Sequence, residues 1–389
     1  MLAPKLRFKE FNDKWNYKLF NEIFEFLQNN SFSRDMLNFS ENSKIYNIHY
    51  GDILTKYGEI IDFNIISNIV PKINNGISLS KFEDKSYLKN GDIVIADTAE
   101  DLTVGKSCEV VNLHCKALAG LHTIPCRPKF KFASQYLGEY INSTSYHSQL
   151  IPYITGIKVS SISKNNIIKT KIYFPTIKEQ EKIALFLNLL DKKIELQQRK
   201  IEVLKMYKKG LINEIFLDID DYDIIGNVIE FEQPNKYIVS NANYEHKKTN
   251  DNIPVLTANK AFILGYTNEK EGIYKKGECV IFDDFTMESK YVDFEFKIKS
   301  SAIKILTAKG NNDMYYLFEA INTKKLVSNE HKRHYISIVQ HLEIPVADLN
   351  TQCYISNLLR RYNKKLSVEN EKLKELRILK TGLLQNMFI

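Results

Sequence analysis

Apolar residues recur in steps of four and three through Ile183, Leu187, Leu190, Ile194, Ile201, Leu204, Leu211 and Ile215. That spacing is the seam of a heptad helix. The same seam returns 172 residues later as Ile355, Leu359, Tyr362, Leu366, Leu373, Leu376, Leu383 and Met387, every one apolar. Polar residues interrupt it at matching places, Gln197 and Lys208 in the first copy, Glu369 and Lys380 in the second. The closing segments match in letters as well: YKKGLINEIF at 207–216 and LKTGLLQNMF at 379–388. Shared apolar and polar positions mark a tandem duplication. Each stripe predicts a helix of about 33 residues, roughly 50 Å at the helical rise of 1.5 Å per residue. Pro175 and Pro345 stand just before, where a helix can start. The stripes are narrow, so the two helices are expected to pack on each other, with the polar breaks fixing register.

The segments outside the helices, rich in Ile, Val, Phe, Tyr, Asn and Lys with scattered turn signals, read as mixed α/β with short strands. They repeat more weakly. YLKNGDIVIAD from Tyr87 to Asp97 faces YKKGECVIFD from Tyr274 to Asp283, and each is a turn followed by an apolar strand. Before each helix, Lys158-Val159-Ser160-Ser161-Ile162-Ser163 faces Lys332-Arg333-His334-Tyr335-Ile336-Ser337. A basic run of this kind is often a solvated loop. It also suits DNA, because Lys and Arg neutralise phosphates while Arg, His and Asn read base edges. Lys158 and Ser160 in the first module and Lys332, Arg333 and His334 in the second are therefore the candidate DNA contacts. The expected fold class is α/β (α+β): two mixed α/β modules at 1–170 and 218–345, separated by two long antiparallel coiled-coil helices at 171–217 and 346–389, with pseudo-twofold symmetry from the duplication.

Composition narrows the function only a little. The net charge of +7 is compatible with nucleic acid without requiring it. The five cysteines are odd in number and scattered, with no CxxC pair. That predicts reduced thiols in a cytoplasmic chain and no zinc site. No apolar leader and no stretch of 18 apolar residues occurs, so neither a secretory signal nor a membrane span is expected.

Catalytic chemistry finds little support. A glycine-rich cofactor turn, an Asn/Asp-Pro-Pro-aromatic motif and a GxxxxGK[ST] loop are all absent. His331 and His334 have the spacing of a metal pair but lack a further ligand at standard spacing. Asp284, Glu295 and Lys297 loosely match the carboxylate–lysine triad of Mg²⁺ nucleases, in which two carboxylates hold the cation and the lysine orients a water. The competing reading is strand alternation, with Val292, Phe294, Phe296 and Ile298 inward and Asp293, Glu295, Lys297 and Lys299 outward. A third alternative is a protein-binding coiled-coil scaffold, which salt-dependent DNA affinity would distinguish.

The most specific segment is FPTIKEQEKIALFLNLLDKKI, running from Phe174 to Ile194. With PKLRFKEFNDKW at the N-terminus and the degenerate copy IPVADLNTQCYISNLLRRYNKKL through GLLQNMF, the chain resembles the specificity (S) subunit of Type I restriction-modification systems over its whole length. The resemblance implies two target recognition domains, each reading half of a bipartite DNA sequence, with the helices holding them apart as a ruler. It implies a subunit without a catalytic centre or a cofactor of its own. Two methyltransferase (M) subunits would bind S-adenosylmethionine, and two motor-nuclease (R) subunits would bind ATP and Mg²⁺. Glu179, Gln180, Lys192, Lys193, Lys364 and Lys365, taken as exposed on the helices, would form the docking surface for the methyltransferase subunits. The second copy reads NTQCYIS in place of the EQxKIA signature, so contacts made by Glu179 and Gln180 are expected to be missing from that half.

Overall fold

The computed structural model describes the chain apart from residues 1–2, 157, 241–243, 246, 250–251, 260 and 329–331. Two compact units divide it, Met1–Gln198 with Lys372–Ile389, and Arg199–Glu371. The two heptad seams form helices Ile177–Leu217 and Leu349–Asn386, of 41 and 38 residues, each longer than its seam because it starts within a few residues of the preceding proline. Each unit therefore joins one module to part of both long helices.

The first unit is built on a five-stranded sheet in the order Phe24–Phe26, Thr123–Pro128, Ile93–Ala96, Ser107–Val111, Ile60–Asp62. Its pairings are antiparallel except the last. The central strand IVIA is buried at all four positions, since both faces of the sheet are covered. Ile93 and Ile95 pack with Tyr136, Tyr140, Leu187 and Leu383, from the helix Tyr136–Ile141 and the long helices. Val94 and Ala96 point the other way, toward Ile53 of the helix Tyr50–Thr55 and Ala117 and Ile48 of a second, four-stranded sheet. Strands Asn16–Leu19 and Lys171–Phe174 pair antiparallel beside the start of the first long helix.

The second unit repeats this plan. Its four-stranded sheet runs Ile229–Glu232, Ile303–Ala308, Cys279–Asp283, Ser289–Val292, all antiparallel. Val280, Phe282 and Leu306 meet the helix Met314–Thr323 and Leu359 on one face. Cys279, Ile281 and Ile305 meet Leu256 and Ile298 of a three-stranded sheet on the other. The pair Tyr222–Ile224 and Glu343–Pro345 precedes the second long helix as its counterpart precedes the first. Here Lys200 binds Glu369 at 2.9 Å and the rings of Tyr207 and Tyr362 stack at 5.7 Å. Advancing along one helix means retreating along the other, so the helices run antiparallel within this unit.

Candidate nucleic-acid interface and helix–module clamps

In the first module Thr155 and Ser161 exchange backbone hydrogen bonds of 2.8 and 3.0 Å, closing a tight loop. Gly156 has φ +109, and a Cβ there would lie 1.9 Å from the Val159 carbonyl oxygen, so only glycine fits this turn. The loop holds Lys158 out in solvent. Ser160 is half-buried in the strand Ser160–Ser161, which pairs antiparallel with Thr98–Ala99 at the end of the main sheet.

In the second module Lys332 and Arg333 are exposed, but His334 is buried. The expected alignment of Lys158 with Lys332 is shifted by two residues. The Ile162 amide donates to the Asp97 carbonyl at 2.9 Å, and the His334 amide donates to the Asp284 carbonyl at 2.9 Å. His334 thus takes the place of the buried Ile162, and its Nε2 meets Ser328 Oγ at 2.7 Å. Burial corrects the expectation that His334 presents its ring to DNA. His331 lies outside the described residues.

Of the six expected docking residues, Lys192, Lys193, Lys364 and Lys365 are exposed. Glu179 and Gln180 are not, and that expectation is corrected. Glu179 is 1% exposed, takes paired hydrogen bonds of 2.7 Å from Arg7 and a third of 3.3 Å from Trp15 Nε1, and so ties the N-terminal segment to the first long helix. Gln180 accepts from the Ala133 amide at 3.0 Å and donates to the Pro175 carbonyl at 2.9 Å. The degenerate second copy keeps this clamp. Gln352 accepts from the Asp313 amide at 2.8 Å and donates to the Ala347 carbonyl at 2.8 Å. Only the Glu179 contact is lost there, since Thr351 stands in its place and turns to Asp348.

The polar breaks in the seams are occupied as well. Lys208 reaches Glu319 at 2.9 Å, and Tyr315 donates to the same carboxylate at 2.7 Å. Lys380 sits among Asp191 at 2.7 Å, Glu59 at 2.9 Å and Glu139 at 3.8 Å. Glu139 and Glu319 belong to a repeat not singled out from the sequence, YLGEYIN at 136–142 and YLFEAIN at 316–322. Burial, together with Glu59 and Asp191, drives the Glu139 carboxyl well above its ordinary pKa against the pull of Lys380. Among the described residues, Glu59, Glu139 and Asp191 are the one carboxylate group with metal-ligand spacing. The Lys380 ammonium already serves there as the cation.

The nuclease triad does not assemble. Asp284 accepts from the His334 and Tyr335 amides at 3.0 and 2.8 Å and lies 3.3 Å from buried Lys304. Lys297 is buried against Glu269 at 2.6 Å and the Glu271 carbonyl at 2.7 Å, while Glu295 pairs with Lys275 at 3.2 Å. Each member has its own partners. Strand alternation is corrected in part too, since Lys297 points inward and Phe294 is exposed.

Two mixed α/β modules, each clamped to long helices by a buried glutamine and a lysine–glutamate pair, define a duplicated recognition scaffold. The family model of the Type I restriction modification DNA specificity domain matches residues 12–206, and the chain belongs to that family. It is 44% identical over 128 residues to the Type I restriction enzyme EcoR124I/EcoR124II specificity subunit of Escherichia coli; that match spans 31% of each chain. In fold it is similar to the Type I restriction-modification S subunit from M. genitalium, with a TM-score of 0.60, 13% identity and coverage of 100% of this chain and 99% of that one. A chain from a structure of type I R-M complex assembly and conformational transition is also similar, with a TM-score of 0.58, 14% identity and coverage of 95% and 96%.

Proposed function

We propose that this chain is the non-catalytic DNA-recognition subunit of a Type I restriction-modification complex, each module reading one half of a bipartite target. The observation that carries the reading is the family match over 12–206 on a chain whose second unit repeats the plan of the first. Lys158 and Ser160 in one module, and Lys332 and Arg333 in the other, contact the duplex. Lysines at such places act mainly on phosphates, and arginine adds base-edge discrimination of ~1–3 kcal/mol.

The partners are two methyltransferase subunits and two motor-nuclease subunits, which hold S-adenosylmethionine, ATP and Mg²⁺. The place of work is the cytoplasm, where the chromosomal DNA lies. No helix among the described residues is long and apolar enough to cross a membrane. The methyltransferase subunits dock on the exposed helix faces. Besides Lys192, Lys193, Lys364 and Lys365, the first long helix exposes Leu185, Leu189, Leu196, Val203 and Met206. Their steps of four, seven, seven and three make a second heptad stripe, apolar surface that a soluble protein rarely leaves uncovered.

Co-expression with the methyltransferase subunit and sequencing of modified bases in the host DNA tests this. A single bipartite motif with methyladenine in each half is expected. A stable complex with no modified adenine would refute DNA recognition, and cutting by the isolated chain with Mg²⁺ would refute the non-catalytic role.

A further inference from the structure

The sheet end that carries Thr98 and Ser161 holds further side chains that no motif singles out. Asp52, fully buried on the helix Tyr50–Thr55, grips two cations: Arg34 through contacts of 2.7 and 3.1 Å, and Lys56 at 2.9 Å. Both keep about half their side-chain surface in solvent, 49% and 46%. Arg34 lies 3.4 Å from His49 Nδ1. The His49 ring packs on Tyr50 at 4.7 Å, and Tyr50 meets His122 edge-on at 5.2 Å. His122 Nδ1 is 3.4 Å from both Thr98 Oγ1 and Asp97 Oδ1. Thr98 faces Ser161 across the antiparallel pair, at the foot of the Lys158 loop. A chain of contacts thus runs from Arg34 to Ser161, three residues beyond the exposed Lys158.

Three features set this row apart from ordinary polar surface. A carboxylate as buried as Asp52 is costly unless its partners are fixed, and here the fixed partners are two half-exposed cations. His122 has φ +52, a left-handed backbone that few non-glycine residues adopt, and such residues concentrate at functional sites. The order of groups matters most. Donors and acceptors mix at Asp97, Thr98, His122 and Ser161, while the cations Arg34 and Lys56 stand at one end and Lys158 belongs to the loop that leads into Ser161. Base edges offer both donors and acceptors, so they need mixed partners; phosphates need only cations. Exposed Asp101, in the next loop, has its carboxylate engaged by the Thr103 amide and hydroxyl.

We propose that this row is the base-reading edge of the first module, with Arg34 and Lys56 seated on phosphates and His122, Asp97 and Thr98 facing the base edges of one half-site. It rests on the reading that the chain recognises DNA. Duplexes bound by the chain are selected from a randomised pool and sequenced, wild type beside His122→Gly, Arg34→Ala and Lys85→Ala. Glycine suits the His122 backbone, so that variant keeps its fold and still decides the question should Arg34→Ala fail to fold. His122→Gly is expected to lose preference at one or more positions of one half-site and keep the other half intact. Arg34→Ala should bind all sequences about tenfold more weakly, with a salt slope lower by about one. Lys85→Ala, exposed elsewhere in the module, should change neither. An unchanged motif in His122→Gly with an unchanged salt slope in Arg34→Ala overturns the assignment. A wild-type pool without any enriched sequence would overturn DNA recognition itself.

Discussion

Lys208 of the first long helix binds Glu319 of the second module at 2.9 Å, and Lys380 of the second long helix sits beside Glu139 of the first. Each lysine is a polar break in a heptad seam and faces the glutamate of the same short YLxExIN helix, Lys208 in hydrogen-bond contact and Lys380 at 3.8 Å with its hydrogen bonds going to Glu59 and Asp191. Of the four breaks expected to fix register, Lys208 and Lys380 are sockets for the modules, while Glu369 pairs with Lys200 of the other helix.

Lys208→Met leaves Glu319 buried beside Tyr315 alone. Removing one partner of a buried pair typically costs about 3 kcal/mol, and replacing both with apolar groups restores much of it. The urea midpoint of the second unit should fall in Lys208→Met and largely recover in Lys208→Met/Glu319→Leu. Equal midpoints in wild type and the single variant would show the pair to be inert.

Two buried carboxyls of the first unit should each contribute stability that is lost as pH rises. Burial raises the Glu139 carboxyl well above its ordinary pKa, and burial pushes Glu109 up to about 7. The folded chain then holds protons that the unfolded chain releases above about pH 4.3. For a raised carboxyl, the stabilisation is complete below the unfolded value and is lost as pH climbs through the folded one. His49, whose buried imidazole is lowered to about 4, works the other way below about pH 6.5, so the signature is a difference: from about pH 5 to 8 the melting temperature of wild type should fall relative to that of Glu139→Gln. A variant curve parallel to that of wild type would mean that Glu139 keeps no proton in the folded chain.

Gln352→Ala should cost about 1–3 kcal/mol, because it strands the Asp313 amide and the Ala347 carbonyl. Thr351→Ala, at an exposed position, should stay within ~0.5 kcal/mol. Thermal unfolding ranks the two, and the reverse order would mean that the glutamine clamp carries no weight.

Arg7→Ala should free the N-terminal segment, because it leaves Glu179 with only the longer hydrogen bond from Trp15 Nε1, at 3.3 Å, to hold that segment. Limited trypsin digestion should cut after Lys14 about tenfold faster, a factor that corresponds to ~1.4 kcal/mol of local opening. Arg7→Lys should rescue only in part, because an ammonium cannot reproduce the paired contact. Unaltered digestion of Arg7→Ala would show that the segment is held by its other contacts, among them the Leu6 amide on the Asn386 carbonyl and the Glu10–Lys182 pair.

The long helices were legible because a seam of eight apolar positions repeats with its interruptions intact. The short helices were not. Their shared pattern is seven residues long and offset by 180 residues, whereas the helical repeat is offset by 172. Charged residues at the head of a helix read as solvent-facing, and nothing local to Glu179 reveals that Arg7, 172 residues earlier, closes over it. The basic run around His334 likewise conceals a core position. Backbone register, through the Asp97 and Asp284 carbonyls, exposes it.

The glutamine and lysine contacts also bear on inheritance. Each module is gripped at points that do not involve its outward loops, and the same two kinds of contact serve both copies. A module carrying different loops, but retaining the short helix with its glutamate and the backbone amide that meets the glutamine, would fit an unaltered pair of helices. Gene exchange could then replace one reading head at a time, leaving the mount and the other head untouched.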